Sequence, residues 1–520
     1  MAGFYKFIET QFKISFIFFV VGIVFGLIYS INLLGFALDS DTLNPANMRS
    51  IHISLMLYGF VPLMMSYLPF MIIDKEARSP KDGMYYLSLY TVFWYIFLIF
   101  MVVSLLFGNT RGLAFYDFPY ALNFILALSG VFYIVALYKY IKVYQVIPLW
   151  VKVSLGFVGV APIMLLVLMN PVIGQVESTV SGPHGDNTLG MSLALIPIYY
   201  LIIKLLNKDE FIARWNILWI VPTLFYFGSV LYRSFIDQLT YNQEWFLQYL
   251  TLLYIPLLYR WYKDAQIDAF AKKALLVSIT AFLFVDIQGN ILFIPDIRWL
   301  IHRNDFVIAH AHVAMGIGVF FMVVAMFAPY VDRLKRFSFY VMYVVGILGM
   351  FTVLSISGIA QANIWDVDIF NMWLLRTLFG FVVLYSAVSL FDLKVGLNPL
   401  RKYNLIGFLS DGIGGFLLIL TASFIYPLLG FEFSGKYEYI VFMFVAMTGV
   451  IHLGAFIYVK HGQILTTLTV FVRVCMSSVF FALYMKNILG VEALLISLVD
   501  FGFVVFYLIF FYNKEMLCQK

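Results

Sequence analysis

Apolar runs long enough to span a bilayer recur sixteen times along this 520-residue chain, and they constrain its fold more than any other feature. The runs lie near 14–36, 50–73, 85–107, 119–138, 150–170 and 186–206, then near 215–235, 244–260, 274–295, 306–330, 338–360 and 371–391. Four more follow, near 405–429, 438–459, 464–485 and 490–512. A helix needs about 20 apolar residues to cross the hydrocarbon. Lipid offers no hydrogen-bond partners, so a spanning backbone must satisfy itself, as a helix does. The expectation is an all-α integral membrane protein. Composition agrees: 12% of residues are charged, against about 25% in a soluble domain, too few to clothe a water-facing surface.

Loop charges orient the runs. Alternate connections carry Lys75, Arg78 and Lys81; Lys139, Lys142 and Lys152; Lys204, Lys208 and Arg214; and Arg260, Lys263, Lys272 and Lys273. Arg333, Lys335 and Arg336, then Lys394, Arg401 and Lys402, and finally Lys460 alone continue the series. The positive-inside rule then puts both termini in the cytoplasm and requires an even number of spans. The basic residues are dispersed among short loops, so the net charge of +5 is no argument for nucleic acid. Cys475 and Cys518 make neither a disulfide framework nor a zinc site. The amphipathic start, MAGFYKFIETQFK, runs straight into a full span, which points to retention in the membrane rather than cleavage.

Seven histidines are present: His52, His184, His302, His310, His312, His452 and His461. An ionisable residue inside a span is a functional candidate. By the topology above, His52 opens the second span at its outer end, and His310 and His312 lie just inside the tenth, also from outside. Three imidazoles thus share one depth. Positions i and i+2 of a helix point about 200° apart. His310 and His312 therefore cannot grip one ion, but each can hold a separate cofactor on opposite faces of a shared helix. Two haems meet that description, because imidazole is an axial ligand of haem iron, and His52 can complete one of them. The plainer reading is three histidines hydrogen-bonded within a bundle.

Several segments resemble a known family. RSIHISLMLYGFVPLMMSYLP resembles the second helix of haem-copper oxidase subunit I, and NDFVIAHAHVAMGIGVFFMVVAMFAP resembles its tenth. HGDNTLGMSLALIPIYYLI is similar to the sixth helix, and SGIAQANIWD with WLLRTLFG to the eleventh-to-twelfth region, of the C-type (cbb-type) cytochrome c oxidases and nitric oxide reductases. The likeness covers about residues 10–395. It implies a twelve-helix bundle over residues 1–399, with low-spin haem on His52 and His312 and high-spin haem on His310. It further implies propionate partners at Arg49, Arg376 and Arg303, a cytochrome c or quinol electron donor, small respiratory subunits, and a bacterial inner membrane location.

The sequence departs from that pattern at the second metal. The family's sixth-helix ligand position is occupied by Asp186, with His184 two residues earlier, and the seventh span has Leu231, Tyr232 and Arg233 where a histidine pair belongs. Copper in such a site wants several imidazoles, so the copper site is expected to be absent, with His184 and Asp186 the only candidates for another metal. Asp286 and Gln288 in the ninth span and Glu244 at the start of the eighth either line a polar path or satisfy one another.

Residues 400–520 add a four-helix extension. Arg473 lies inside one of its spans, with Asp411 or Asp500 as partner, and Gly412, Gly414 and Gly415 allow close helix contact. His452 and His461 fall toward the opposite face from the other histidines. The leading expectation is a dihaem oxidoreductase of the respiratory chain, of terminal-oxidase or nitric-oxide-reductase type, acting on a small gas such as oxygen or nitric oxide. The alternatives are a non-catalytic haem gas sensor or electron-transfer subunit, and a transporter that has lost its haems.

Overall fold

Every apolar run inside the described part of the chain is helical in the computed structural model. That part is residues 2–35, 43–77, 80–111, 117–149, 151–152, 185–301, 304–335, 337–390, 399–428, 433–435, 437–457, 462–486 and 488–512. The run at 150–170 falls almost wholly outside it. The helices are α1 (Ala2–Leu33), α2 (Pro45–Ala77), α3 (Lys81–Leu106), α4 (Leu122–Ile141), α5 (Gly185–Leu206) and α6 (Ile217–Phe235). Next comes α7, in which Tyr241–Tyr249 and Tyr254–Asp264 are joined by the 3₁₀ turn Leu250–Leu253. Then follow α8 (Ala269–Leu292), the short helix Pro295–Ile301, α9 (Asp305–Phe327), α10 (Phe337–Gln361) and α11 (Ile369–Ser389). These belong to one compact unit. A second unit contains α12, made of Pro399–Gly407, a π turn Phe408–Ile413 and Gly414–Leu428, with α13 (Tyr437–Ile457), α14 (Gly462–Met485) and α15 (Val491–Tyr512).

Ten of the described helices are long and apolar enough to cross a membrane, and among the described residues there is no strand. The protein is an all-α membrane bundle. Large side chains such as Phe100, Leu224, Phe235, Phe444 and Phe471 stand exposed on the helix surfaces, as a lipid-facing exterior requires.

Aromatic packing fills the centre of the first unit. Phe12, Phe16 and Phe19 gather on Phe60, and Phe19 and Phe60 meet Phe320, whose ring lies 4.6 Å from that of Tyr343; every residue of Phe320–Phe327 is buried. That stretch makes the second half of α9 the axis of the unit, which fixes the first half, where His310 and His312 stand.

Both histidine-bearing helices contain a π turn just after the histidines: Met56–Phe60 in α2 and Ala314–Val319 in α9. A π turn breaks the regular ladder and loosens backbone carbonyls that need other donors. Ser15 Oγ supplies Gly59 O at 2.6 Å, Trp94 Nε1 supplies Tyr58 O at 2.9 Å, and Ser278 Oγ, itself 2.7 Å from the Tyr199 hydroxyl, supplies Gly318 O.

In the second unit Gly412 lies so close to Gly449 that a Cβ on Gly449 would sit 2.0 Å from the Gly412 nitrogen, and one on Gly415 would meet Ala446 N at 2.7 Å. Two of the three expected glycine contacts therefore join α12 to α13. Gly414 is the exception: the nearest atom to a Cβ there is Leu409 O of its own helix, at 3.7 Å.

Candidate functional site

The second helix starts cleanly because Asn44 caps it, accepting from Asn47 N at 2.9 Å, with Pro45 in the first turn. Two turns on, His52 turns toward α1. Its Nδ1 is 2.8 Å from Gly22 O, and it can approach because Gly26 has no side chain: a Cβ there would lie 2.5 Å from Nδ1. The ninth helix is capped by Asn304, whose side chain accepts from Phe306 N at 3.0 Å while its Nδ2 donates to Gly358 O at 2.7 Å.

His312, on α9, faces His52. The ring centroids are 6.4 Å apart and the planes lie within 23° of parallel. His312 Nδ1 is 2.8 Å from Ile308 O. Each imidazole thus has Nδ1 at a backbone carbonyl, the arrangement that fixes the tautomer and leaves Nε2 as the ligating nitrogen. The gap fits an intervening metal: a bond of about 2 Å to each nitrogen, with about 1.1 Å from nitrogen to ring centre, spans about 6 Å in all. His52 and His312 are the residues that would hold a haem iron between them.

His310 points elsewhere, as its two-residue offset demands. Its Nδ1 is 3.1 Å from Gln288 Oε1 on α8, so its ring is held by a different helix from the one facing His312. Beside Gln288 is a half-open apolar recess of about 270 Å³ lined by Phe284, Ile287, Ile291, Ile301 and Phe306, the first three exposed on the helix surface. All three histidines are half-buried.

Near the Asn304 end of α9 a polar cluster ties helices together. Asp305 Oδ2 accepts from Ser357 Oγ at 2.6 Å, Trp373 Nε1 at 2.7 Å and Gln361 Nε2 at 3.0 Å. The Arg376 guanidinium lies 5.7 Å from the Trp373 ring, and its Nε donates to Ser30 Oγ at 2.9 Å. Arg376 is thereby held, buried, at the junction of α1 and α11. Arg49 stands exposed one turn before His52.

Other expected residues fare differently. His184, His302, Arg303 and His461 lie outside the described residues, and Asp186 is in the first turn of α5. Leu231, Tyr232 and Arg233 occupy the end of α6. Asp286 and Gln288 do not pair with each other among the described residues. Gln288 is taken by His310, and the buried Asp286 Oδ2 has no hydrogen-bond partner among the described residues. Burial within the bundle, not a local pairing, isolates that carboxylate. Sequence reasoning missed Asp305 and Trp373, and named Gln288 without pairing it to His310; the available signal for Asp305 was an acidic residue five positions before His310, next to the Asn304 cap.

A family model described as cytochrome C and quinol oxidase polypeptide I matches residues 10–382. No curated protein matches the chain. The matched stretch carries all three histidines of α2 and α9 and ends before α12.

Proposed function

From the premise that this chain belongs to the cytochrome c and quinol oxidase polypeptide I family, a family of haem-binding membrane oxidoreductases of respiratory electron transport, we propose that it is a dihaem protein with C-type oxidase or nitric oxide reductase affinities. In this reading His52 and His312 hold the low-spin haem and His310 holds the high-spin haem. When bound, these groups supply one-electron transfer and an open iron face for a small gas such as oxygen or nitric oxide. Gly22 O and Ile308 O orient the first pair of rings, Gln288 orients His310, and Arg376 is the leading propionate partner. Arg49 and Arg303 are the further propionate candidates. Electrons come from a cytochrome c or a quinol, small respiratory subunits accompany the chain, and both termini face the cytoplasm of a bacterial inner membrane.

The observation that carries this reading is the 6.4 Å gap between near-parallel His52 and His312 rings, with His310 directed to another helix. A second reading, a gas sensor or electron-transfer subunit without turnover, is favoured by Leu231, Tyr232 and Arg233 at the place of a metal-binding histidine pair. There the remaining candidates for a second metal are His184 and Asp186.

Haem and metal analysis of the purified protein, with reduced and carbon-monoxide-difference spectra, tests both. The expected result is two haems, one of which binds carbon monoxide. His310→Ala should abolish carbon monoxide binding and spare the low-spin spectrum, and His52→Ala should do the reverse. A stoichiometric second metal selects the reductase and its absence the sensor, while spectra indifferent to both substitutions refute the ligand assignment.

A further inference from the structure

The second unit contains a buried ionisable cluster that lies beyond the matched residues 10–382 and owes nothing to the haem reading. Arg473 of α14 donates from Nη1 to Asp500 of α15 at 2.6 Å and from Nη2 to Asp411 of α12. Its guanidinium also lies 3.8 Å from the Phe503 ring centre. Two carboxylates against one guanidinium leave one negative charge uncancelled inside a membrane bundle, where an uncompensated charge is costly.

His452 of α13 is fully buried beside this group, and its Nε2 is 3.8 Å from Asp411 Oδ2 with no hydrogen-bond partner among the described residues. Neighbouring bonds settle its tautomer. Asn404 Nδ2 must face Leu400 O at 2.9 Å, because a carbonyl can only accept, and it also donates to Thr466 Oγ1 at 2.7 Å. Asn404 Oδ1 is therefore the atom 2.9 Å from His452 Nδ1, which must carry the hydrogen. In the neutral ring the Nε2 lone pair then points toward a carboxylate oxygen, a repulsive contact. A proton on Nε2 turns that 3.8 Å contact into an attractive ion pair and brings the cluster to neutrality.

We propose that His452 and Asp411, held by Arg473 and Asp500, form a proton-binding site within the membrane-embedded part of the second unit. The ligand is one proton taken up at His452 Nε2, imidazole becoming imidazolium with no electron transferred. Tyr403 and Asp411 of α12 face it directly; behind them Arg473 of α14 pairs with Asp411 and with Asp500 of α15, Tyr507 of α15 packs on the Tyr403 ring, and Arg401 of α12 donates to Phe456 O of α13. The Gly414–Leu428 stretch of α12 brings no acidic or basic residue.

The test is nitrogen NMR of the full-length protein labelled in its histidine rings, titrated over about pH 4–10. One ring should gain its Nε2 proton within that range, and its resonance should vanish in His452→Gln. Asp411→Asn, which removes the facing charge, should lower the midpoint of the same resonance by about one pH unit or more, identifying it independently should the glutamine variant fail to assemble. A His452 ring that stays neutral throughout, or a midpoint unmoved by Asp411→Asn, overturns the proposal and leaves the cluster a fixed ionic brace.

Discussion

Gly26→Ala is the smallest change that should dislodge the low-spin ligand. The new Cβ would lie 2.5 Å from His52 Nδ1 and 2.7 Å from Cε1, whereas ordinary contact begins near 3.4 Å. The ring must retreat from α1 by about 0.9 Å, since a packed interior leaves no slack. The 2.8 Å contact to Gly22 O then opens to about 3.7 Å, outside hydrogen-bond range. Loss of the partner that orients a metal-ligating histidine costs about 10–100-fold in affinity, or about 1.4–2.7 kcal/mol. Gly22→Ala is the matched control. Its Cβ meets the terminal methyl of Met56 at 2.3 Å, the movable end of a flexible side chain, and the Leu55 Cβ only at 3.0 Å, and the accepting carbonyl is kept. The assay is haem retention against a haem-scavenging globin, followed at the reduced low-spin band. Gly26→Ala should lose low-spin haem about 10–100 times faster than the parent, and Gly22→Ala should behave like the parent. Equal retention in all three proteins, or equal loss in both variants, would refute the reasoning.

Two further outcomes follow from the polar clusters. Trp373→Phe deletes one of three donors to the Asp305 carboxylate and should cost about 1.5–3 kcal/mol, read as a lowered thermal midpoint in detergent; an unchanged midpoint would mean that the bond contributes nothing. Arg473→Met leaves Asp411 and Asp500 buried without their cation and should destabilise by about 3–5 kcal/mol. Replacing both aspartates by leucine in the same chain should restore most of that loss, and failure of the triple variant to recover would show that the cost lies in packing rather than charge.

The apolar runs were readable as helices because length and hydropathy alone decide whether a segment can cross lipid. The opposite faces of His310 and His312 were readable for an equally local reason: the angle between positions i and i+2 does not depend on tertiary structure. What stayed hidden was long-range or a matter of one residue. Gln288 and Trp373 lie 22 and 68 positions from the residues they hold, and no periodicity links them. Arg473 was expected to choose between Asp411 and Asp500, yet it takes both because its planar fork presents separate nitrogens to each. The π turns carry no compositional mark, since MLYGF and AMGIGV read as ordinary apolar helix.

Those π turns separate two requirements that a uniform helix would bind together. One surplus residue offsets the azimuth of everything before it by about 100° relative to everything after it. In α2 and α9 the histidines stand before the surplus residue, and the densely buried stretches, Leu68–Ile73 and Phe320–Phe327, stand after it. The angular setting of the ligands is thus uncoupled from that of the packing stripe on the same rod. Excising a single residue from 56–60 or 314–319 would leave a straight, apolar, membrane-length helix whose packing half still fits, while its histidine half aims about a quarter-turn away from the facing ring.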